Sequence, residues 1–537
     1  MRPLSSYKWC RQRKSKCVVP RRGNSCIRCS EKGLACDLAE LASVKVPSPL
    51  PPLPASVPSS SRCEQNEQNS CSVSNLDSLP STVCNKLVDL YFNLIEGKQL
   101  QLFHPHTFIS MQRAGQAPSY LVFAMIALMA RFSSDPFFQN THPWRRAVTW
   151  LKKAIQSFNN REQLVNISSL QGCILLAFVA FVEGDSDQEA LLTSQAICMV
   201  QRLDLPSKLS SNPIERELGI RLFWACWGLD TWHSARTLVP RQLTASGTMK
   251  RPLEEETFLK MRADDPDERY CEAMIDSLSL RRCSLWNYRL ALTEIHGQVM
   301  QLNDDLSQRS PNEAEIRDRV RRISGHLDRW LHDLPDNFQH TPENMIRHSE
   351  RGFGREFAMQ QMIYHHQSQL LYYQFLHKTT MVEDAVIDNE SLMYAARCKA
   401  HAAALSKVMW DMNSIPGREC LWSPVNGHLL VVSSSILLYI LLSDTDDQIV
   451  SGTRQLLEQN FTMLLELRKY WSQVELSMIR SKVFHQACQI SGTSENFKMD
   501  SWLIQFLNRY DVQVPNRYEE PDIDLMTDKH FAPCELW

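Results

Sequence analysis

The chain has 537 residues, a formal net charge of −2, 43% hydrophobic residues and seventeen cysteines. This length suits a small module together with a large core, in two or three domains. We do not expect secretion, because the basic N-terminus has no apolar signal core and most cysteines occur singly in apolar patterns. We do not expect a membrane partner either. The longest apolar runs, Leu121–Ala130 and Leu429–Leu442, are shorter than the roughly 18 residues that span a membrane.

Five cysteines within the first 36 residues have the spacing of metal ligands. Two residues separate Cys26 from Cys29, and six residues separate both Cys10 from Cys17 and Cys29 from Cys36. Thiolates at such spacing converge on a tetrahedral zinc ion. We therefore predict that these five cysteines bind Zn²⁺.

The same stretch is strongly basic. Residues 1–37 carry a net charge of +8, whereas the remainder carries −10. Four basic side chains lie between the first two cysteines: Arg11, Arg13, Lys14 and Lys16. Such a run by itself indicates a solvated face, but a cationic segment inside a zinc-binding frame favours a DNA-binding surface.

Residues 7–36 resemble the fungal Zn2Cys6 binuclear-cluster DNA-binding domain. The run Cys10-Arg-Gln-Arg-Lys-Ser-Lys-Cys17 is similar to the family's Cys-Arg-x-Arg/Lys-Lys-x-Lys-Cys pattern, and Pro20 falls in the loop as it does in the family. The resemblance implies a nuclear protein that reads CGG-type triplets of double-stranded DNA.

The resemblance also implies that the residues of the basic run have different roles in DNA binding. Lys14, with Arg13 beside it, would contact the O6 and N7 acceptors of guanine in the major groove. Arg11 and Lys16 would hold phosphates, which positions the module without specifying a sequence.

One position departs from the family pattern. The first cysteine of the family would fall at position 7, where this chain has Tyr7. A phenol with a pKa of about 10 is a poor zinc ligand at neutral pH, and the first histidine in the chain is His104. Two explanations remain open: the cluster holds one zinc ion instead of two, or the natural protein begins differently from the printed sequence.

Residues 39–80 are predicted to be a linker. They are rich in Pro, Ser, Asn and Gln, and they include the proline-rich run Pro47–Pro54. Prolines stiffen a chain toward polyproline II, and the polar remainder buries too little surface to fold. Leu38, Leu41 and Val44 make only about one heptad of a coiled-coil pattern, where about three or four are needed, so the residues themselves predict no dimerising coil.

The pattern is helical from residue 81 to about 515. Helix starts are indicated at Asn212-Pro213 and at Ser310-Pro311, by side-chain caps followed by proline. Apolar stripes with helical spacing are Val148, Leu151, Ile155, Phe158, and Ile316, Val320, Ile323, Leu327, Leu331. Further helical segments cover about 357–376, 391–413, 427–443, 451–471 and 499–510. Strand patterns are hard to find, and only 17 residues are glycine, so we predict an all-α fold.

This region resembles the fungal-specific transcription factor domain. Leu102-Phe103-His-Pro-His-Thr-Phe108 is similar to the family's His-Pro-x-x-Phe start, and Arg216–Asp230 is similar to its Arg-Arg-x-x-Trp-Trp-x-Leu-x-x-Leu-Asp signature. Together the resemblances imply a layout of four parts: a DNA-binding domain (1–38), a linker (39–80), an all-helical regulatory domain (81–515) and an acidic tail (516–537).

The resulting hypothesis is a zinc-dependent, sequence-specific fungal regulator of RNA polymerase II transcription and not an enzyme. Further partners that the family implies are a second copy in a homodimer and a small-molecule inducer or coregulator that acts on the helical domain. The alternative is a transcriptional cofactor or repressor that lost DNA binding with Tyr7 and acts through protein contacts.

Several residues have a plainer explanation than function. His366 continues the apolar stripe of its helix, so we predict a hydrogen-bonded core histidine and not a metal ligand. Trp224, Trp227 and Trp232 are predicted to be core residues in preference to the wall of a ligand pocket. No phosphate loop, nucleophile elbow or zincin motif is visible. The tail around 519–528 fits an activation segment or a surface tail.

Overall fold

The computed structural model describes residues 79–205, 210–237, 239–245, 249–262, 284–308, 312–376, 389–415, 423–444, 446–491 and 501–508. Within these ranges every regular element is a helix, and the only β feature is an isolated bridge between Glu96 and Leu100. The predicted all-α fold is confirmed. The predicted linker up to residue 78 and the predicted tail lie outside the described residues.

The α-helices are α1 (Ser81–Leu94), α2 (Pro105–Arg113), α3 (Ser119–Met129), α4 (Val148–Asn159), α5 (Ile167–Glu183), α6 (Ser186–Arg202), α7 (Pro213–Thr237), α8 (Glu255–Lys260), α9 (Leu285–Gln308), α10 (Glu313–His332), α11 (Pro342–Glu350), α12 (Gly354–Tyr372), α13 (Asn389–Asn413), α14 (Val425–Ser443), α15 (Asp447–Arg468), α16 (Gln473–Ser491) and α17 (Ser501–Asn508). Short 3₁₀ helices are Ala130–Phe132, Pro136–Phe138, Pro143–Arg145, Asp336–Phe338 and Tyr373–Phe375.

Side-chain caps mark the starts of α7 and α10. The Asn212 carboxamide oxygen accepts hydrogen bonds from the backbone of Ile214 (2.9 Å) and Glu215 (3.3 Å), which confirms the predicted start of α7. Asn312 is the N-cap of helix α10, and its side-chain oxygen accepts a hydrogen bond from the backbone amide of Ala314 at 3.1 Å. The predicted start at residues 310–311 lies outside the described residues.

The apolar stripes are largely as predicted. Helix α10 buries Ile316, Val320, Ile323 and Leu327. Helix α4 differs at its first turn, because Val148 is 48% exposed. The buried row of α4 consists instead of Trp150, Ala154 and Phe158, at four-residue spacing.

One continuous apolar core runs from Val83 in α1 to Leu507 in α17. Helix α14 lies within it and packs against α12, α13, α15 and α16. Among the described helices, only α14 is long and apolar enough to cross a membrane, but 78% of that stretch, Val425–Leu442, is buried inside the domain. This confirms the predicted core helix.

A glycine allows α3, α4 and α5 to pack closely. A Cβ atom on Gly172 of α5 would lie 2.8 Å from the Tyr120 ring of α3 and 2.9 Å from the Phe158 ring of α4. Real Cβ atoms do not approach carbon atoms so closely, so a larger residue would push the two rings aside.

The helices that build the cavity described below are in mutual contact. Helix α7 packs against α5, α6 and α9, and α9 packs against α10 and α12. Helix α12 in turn contacts α14. Side chains from α5, α7, α9, α12 and α14 therefore meet around one interior space.

Candidate functional site

The residues predicted to bind zinc and DNA lie outside the described residues. They are Cys10, Cys17, Cys26, Cys29 and Cys36 for the metal, and Arg11, Arg13, Lys14 and Lys16 for DNA. In the part of the chain that the structure does describe, no group of three or more His, Cys, Asp or Glu side chains is arranged to hold a metal ion. The zinc-binding and DNA-binding roles remain predictions.

The paired histidines of α12 are packed into the domain. His366 is 1% exposed, and its Nδ1 lies 3.2 Å from the Gln369 amide nitrogen, which confirms the predicted core histidine. His365 Nδ1 lies 2.9 Å from His401 Nδ1. Burial lowers the pKa of His365 to about 3 and that of His401 to about 4, so both rings are neutral at pH 7 and one donates to the other.

An apolar cavity of about 210 Å³ lies among α5, α7, α9, α12, α14 and the loop before α2. Most of its wall is apolar, and five aromatic side chains contribute to it: Phe178, Phe181, Trp224, Trp232 and Trp286. A mostly apolar cavity with a few polar groups is the usual form of a small-molecule site.

Helix α7 supplies one wall through its spacing. Trp224, Gly228 and Trp232 recur every four residues and so lie on one face. A Cβ atom at Gly228 would meet no atom within 4 Å, so this glycine leaves space at the wall. The predicted core role is thus confirmed for Trp224 and Trp227, which are both 1% exposed. Trp224 and Trp232 also line the cavity.

Each cavity tryptophan is held by a neighbour on one ring face. The Arg251 guanidinium lies 4.0 Å from the Trp224 ring centre, and the Arg289 guanidinium lies 3.9 Å from that of Trp286. Trp232 stacks on His296, with 4.1 Å between the ring centres. These contacts fix the rings in place.

One end of the cavity wall is charged. It holds Lys98, Arg289 and Arg355 around the buried carboxylate of Glu356. Burial raises the pKa of Glu356, and the three cations oppose that rise. Burial also lowers the pKa of Arg289 to about 10, which still leaves it charged at pH 7. The lining also includes the buried carboxylate of Glu189, and Arg289 is attracted to Glu255 as well as to Glu356. Among the lining residues the cations therefore outnumber the carboxylates only by three to two.

Three polar atoms of the lining are buried and have no hydrogen-bond partner among the described residues. They are Glu356 Oε2, Asn426 Oδ1 and Trp286 Nε1. The Asn426 amide nitrogen, by contrast, donates to the Ser423 carbonyl at 3.1 Å. Buried polar atoms in folded proteins nearly always have a partner, so these atoms indicate where a bound molecule or water would be held.

The Arg216–Asp230 signature holds the chain that follows α7 against this helix. Arg221 Nη2 donates to the Leu253 carbonyl at 2.7 Å, and the Leu253 amide donates to Glu217 at 2.7 Å. Asp230 accepts the backbone amides of residues 242 and 243, at 2.8 and 2.6 Å. The polar residues of the signature therefore have a structural role behind the cavity wall.

The His-Pro motif is held in a similar way. Glu96 Oε1 accepts the backbone amides of Leu102 (2.7 Å) and Phe103 (3.0 Å), just before α2. Burial raises the pKa of Glu96 to about 8, although the two backbone hydrogen bonds oppose that rise. The buried carboxyl group of Glu96 thus anchors the loop that contributes Lys98 to the cavity wall.

Residues 88–332 match the fungal specific transcription factor domain. This range contains both sequence signatures and four of the helices that contribute to the cavity lining, α5, α6, α7 and α9. Helices α12 and α14 follow it in the chain.

Curated relatives are similar over parts of the chain. The Zn(2)-C6 fungal-type transcription factor FTF1c of Fusarium oxysporum f. sp. lycopersici is 27% identical over 194 residues, which is 34% of this chain and 21% of that protein. Factor FTF2 of the same fungus is 27% identical over 194 residues, 34% of this chain and 18% of that protein. An uncharacterized transcriptional regulatory protein of Schizosaccharomyces pombe is 22% identical over 303 residues, 52% of this chain and 31% of that protein.

These matches support a transcription regulator. The family of the matched domain is one of transcription factors and not of enzymes. The chain spans only about a fifth of the length of the Fusarium relatives. What those proteins bind is therefore carried to this chain only as a proposal.

The charged end of the cavity was not predicted from the sequence. Lys98, Arg289 and the pair Arg355-Glu356 come from three separate parts of the chain and share no spacing. The one available signal was a glycine between two tryptophans on a single face of α7.

Proposed function

We propose that this protein is a nuclear, zinc-dependent and sequence-specific regulator of transcription by RNA polymerase II. The observation that carries the proposal is the match of residues 88–332 to the fungal specific transcription factor domain. It is supported by the five cysteines and the basic run upstream on the same chain, and by relatives that are named Zn(2)-C6 transcription factors.

In this proposal the cysteines form the frame that orients the basic run. Five thiolates are enough for one complete tetrahedral zinc site, and a sixth ligand is missing for two sites with shared thiolates. Lys14 and Arg13 read guanines of CGG-type triplets, and Arg11 and Lys16 hold phosphates. The helical region from residue 81 to about 515 is the regulatory domain, on which a homodimer partner, an inducer or a coregulator acts.

Binding of the full chain to DNA tests these roles. Lys14→Ala should weaken binding to a CGG-type site by about 1–3 kcal/mol and leave binding to random DNA nearly unchanged. Arg11→Ala is the matched control, because it should weaken binding to both DNAs alike and lower the salt slope by about one unit. Equal losses on both DNAs for both variants would remove Lys14 from base recognition.

A second candidate function is a cofactor or repressor that does not bind DNA itself. The observation that favours it is Tyr7, which stands where the family has a cysteine. Under the DNA-binding proposal, Tyr7→Cys should raise both the number of zinc ions per chain, measured by metal analysis, and the affinity for a CGG-type site. If Tyr7→Cys raises the zinc content but gives no sequence preference, the cofactor function is the better one.

A further inference from the structure

We propose that the cavity among α5, α7, α9, α12 and α14 binds a small aromatic carboxylate, with its ring between the tryptophans and its carboxylate toward Lys98 and Arg289. Its role as an inducer site rests on the function proposed above. The binding itself does not, because the lining residues and their charges all lie within the part of the chain that the structure describes.

The volume limits the size of the ligand. An apolar protein cavity of roughly 150 Å³ accommodates one benzene molecule. The cavity here has about 210 Å³. In the same proportion it encloses roughly eight or nine non-hydrogen atoms. Because the pocket is partly open to solvent, a single ring with one short polar substituent, about ten non-hydrogen atoms in all, can be accommodated. A dinucleotide, a steroid or a peptide is too large for this space.

The wall determines the chemistry of the ligand body. Two phenylalanines of α5, Phe178 and Phe181, and three tryptophans contribute to the lining. Aromatic side chains at such a density favour an aromatic ring over a sugar or a polyol, because a flat apolar ring leaves no buried hydroxyl group without a partner.

The charges determine the sign of the polar group. Lys98, Arg289 and Arg355 outnumber the two carboxylates of the lining, Glu189 and Glu356. Trp286 Nε1 adds a buried donor that has no partner among the described residues, whereas the other two such atoms, Glu356 Oε2 and Asn426 Oδ1, are acceptors that bound water can satisfy. A carboxylate accepts from such donors and offsets the surplus of positive charge.

A cationic ligand fits less well, although aromatic cages often bind ammonium groups. The ring faces of Trp224 and Trp286 are already covered on one side by Arg251 and Arg289, at 4.0 and 3.9 Å. A bound cation would add to a region that is already positively charged. The observations therefore favour an anion.

Three probes with the same ring and different charge test the sign. Phenylacetate, phenylacetamide and phenethylamine are titrated into the full chain without DNA, and binding is followed by tryptophan fluorescence and calorimetry. We expect phenylacetate to bind at least ten-fold more tightly than the amide, and the amine to bind most weakly. Binding of the amide or the amine as tightly as the acid, or no binding of phenylacetate at millimolar concentration, would overturn the proposal.

A pair of glycine variants tests the place of binding. Gly228→Leu adds a side chain at the cavity wall, where a Cβ atom meets nothing within 4 Å, so the fold should be retained. Phenylacetate binding should fall at least ten-fold. Gly325→Leu is the matched control, because Gly325 is also a helical glycine with no neighbour within 4 Å and lies in α10, outside the cavity lining. Unchanged binding in a folded Gly228→Leu variant would overturn the site.

A third variant tests the charged end. Arg289→Met keeps an apolar side chain near the Trp286 ring but removes the guanidinium. The preference for phenylacetate over phenylacetamide should shrink by at least five-fold, while the affinity for the amide changes little. Circular dichroism checks the fold, and an unchanged preference in a folded variant would contradict the role of Arg289.

The outcomes separate this inference from the function proposed above. A chain that binds CGG-type DNA but none of the three probes refutes the cavity proposal alone. A chain that binds phenylacetate but no DNA refutes the DNA-binding proposal and leaves the aromatic carboxylate site in place.

Discussion

The buried ion pair of α7 offers a sharp test of how the domain is held together. Arg221 Nε lies 2.9 Å from Glu217 Oε1, and the two side chains are only 1% and 4% exposed. The same guanidinium donates to the Leu253 carbonyl at 2.7 Å and lies 4.1 Å from the Phe258 ring centre. We predict that Arg221→Met strongly destabilises this part of the domain.

The magnitude follows from burial. Removing one partner of a buried ion pair costs about 3–5 kcal/mol, because the other charge stays away from water without its counter-charge. That is a large part of the roughly 5–15 kcal/mol that holds a domain folded. The double variant Arg221→Met/Glu217→Gln should lose less than Arg221→Met alone, because a neutral amide costs less to bury and its oxygen still accepts the Leu253 amide.

The matched control is an ion pair with the same spacing at the surface. Arg317 lies 3.3 Å from Glu313 in α10, also four residues apart, but the two side chains are 26% and 60% exposed. Arg317 also lies 3.8 Å from Glu390 of α13, but both of its ion pairs are accessible to solvent, so Arg317→Met should cost only about 1 kcal/mol.

Urea unfolding followed by tryptophan fluorescence measures the free energies of unfolding of these variants, and hydrogen exchange of the Leu253 amide reports the local contact. If Arg221→Met costs no more than Arg317→Met, or if the Leu253 amide exchanges as slowly as in the wild type, the assigned role of the buried pair is wrong.

Two further predictions concern packing and pH. Gly172→Ala should destabilise the domain by about 1–3 kcal/mol, because the new methyl group would lie within 3 Å of two aromatic rings. Gly325→Ala, where a Cβ atom meets nothing within 4 Å, should instead stabilise the domain by about 0.5–1 kcal/mol, because alanine has a higher helix propensity than glycine. The folded-state pKa of Glu96, about 8, lies above its ordinary value, so between about pH 4.5 and pH 8 the folded chain keeps a proton that the unfolded chain loses. The contribution of protonated Glu96 to the free energy of unfolding therefore falls as pH rises through this range. Glu96→Gln should remove that part of the pH dependence, measured as the difference between the wild-type and variant free energies of unfolding.

Each of these two predictions has an outcome that would contradict it. A Gly172→Ala variant as stable as Gly325→Ala would mean that the rings have room to move. A stability difference between the wild type and Glu96→Gln that stays constant from pH 4.5 to 8 would mean that Glu96 titrates normally in the folded chain.

The sequence by itself determined the helices, because the signals for a helix are local. The Asn212 cap and the α10 stripe from Ile316 to Leu327 need only neighbouring residues, and the structure has both. The same is true of His366, whose place on an apolar stripe predicted its burial. The cysteine spacing and the basic run are equally local signals, and their roles stay predictions.

Only the tertiary structure decided which faces meet. Trp224, Trp227 and Trp232 look alike in the sequence. Trp224 and Trp227 are both buried, but only Trp224 and Trp232 line the cavity. Glu217 and Arg221 have the four-residue spacing of many ion pairs on helix surfaces. This ion pair is buried only because the chain at residue 253 packs over α7.

The cavity itself depends most on the fold. Lys98 and Glu356 are more than 250 positions apart in the chain, yet both contribute to one wall. Helical periodicity states which side of a helix is apolar but not which helix covers it, because the packing of helices depends on the shapes of both surfaces at once. An empty volume beside Gly228 is a property of five helices together, and no single stretch of sequence contains it.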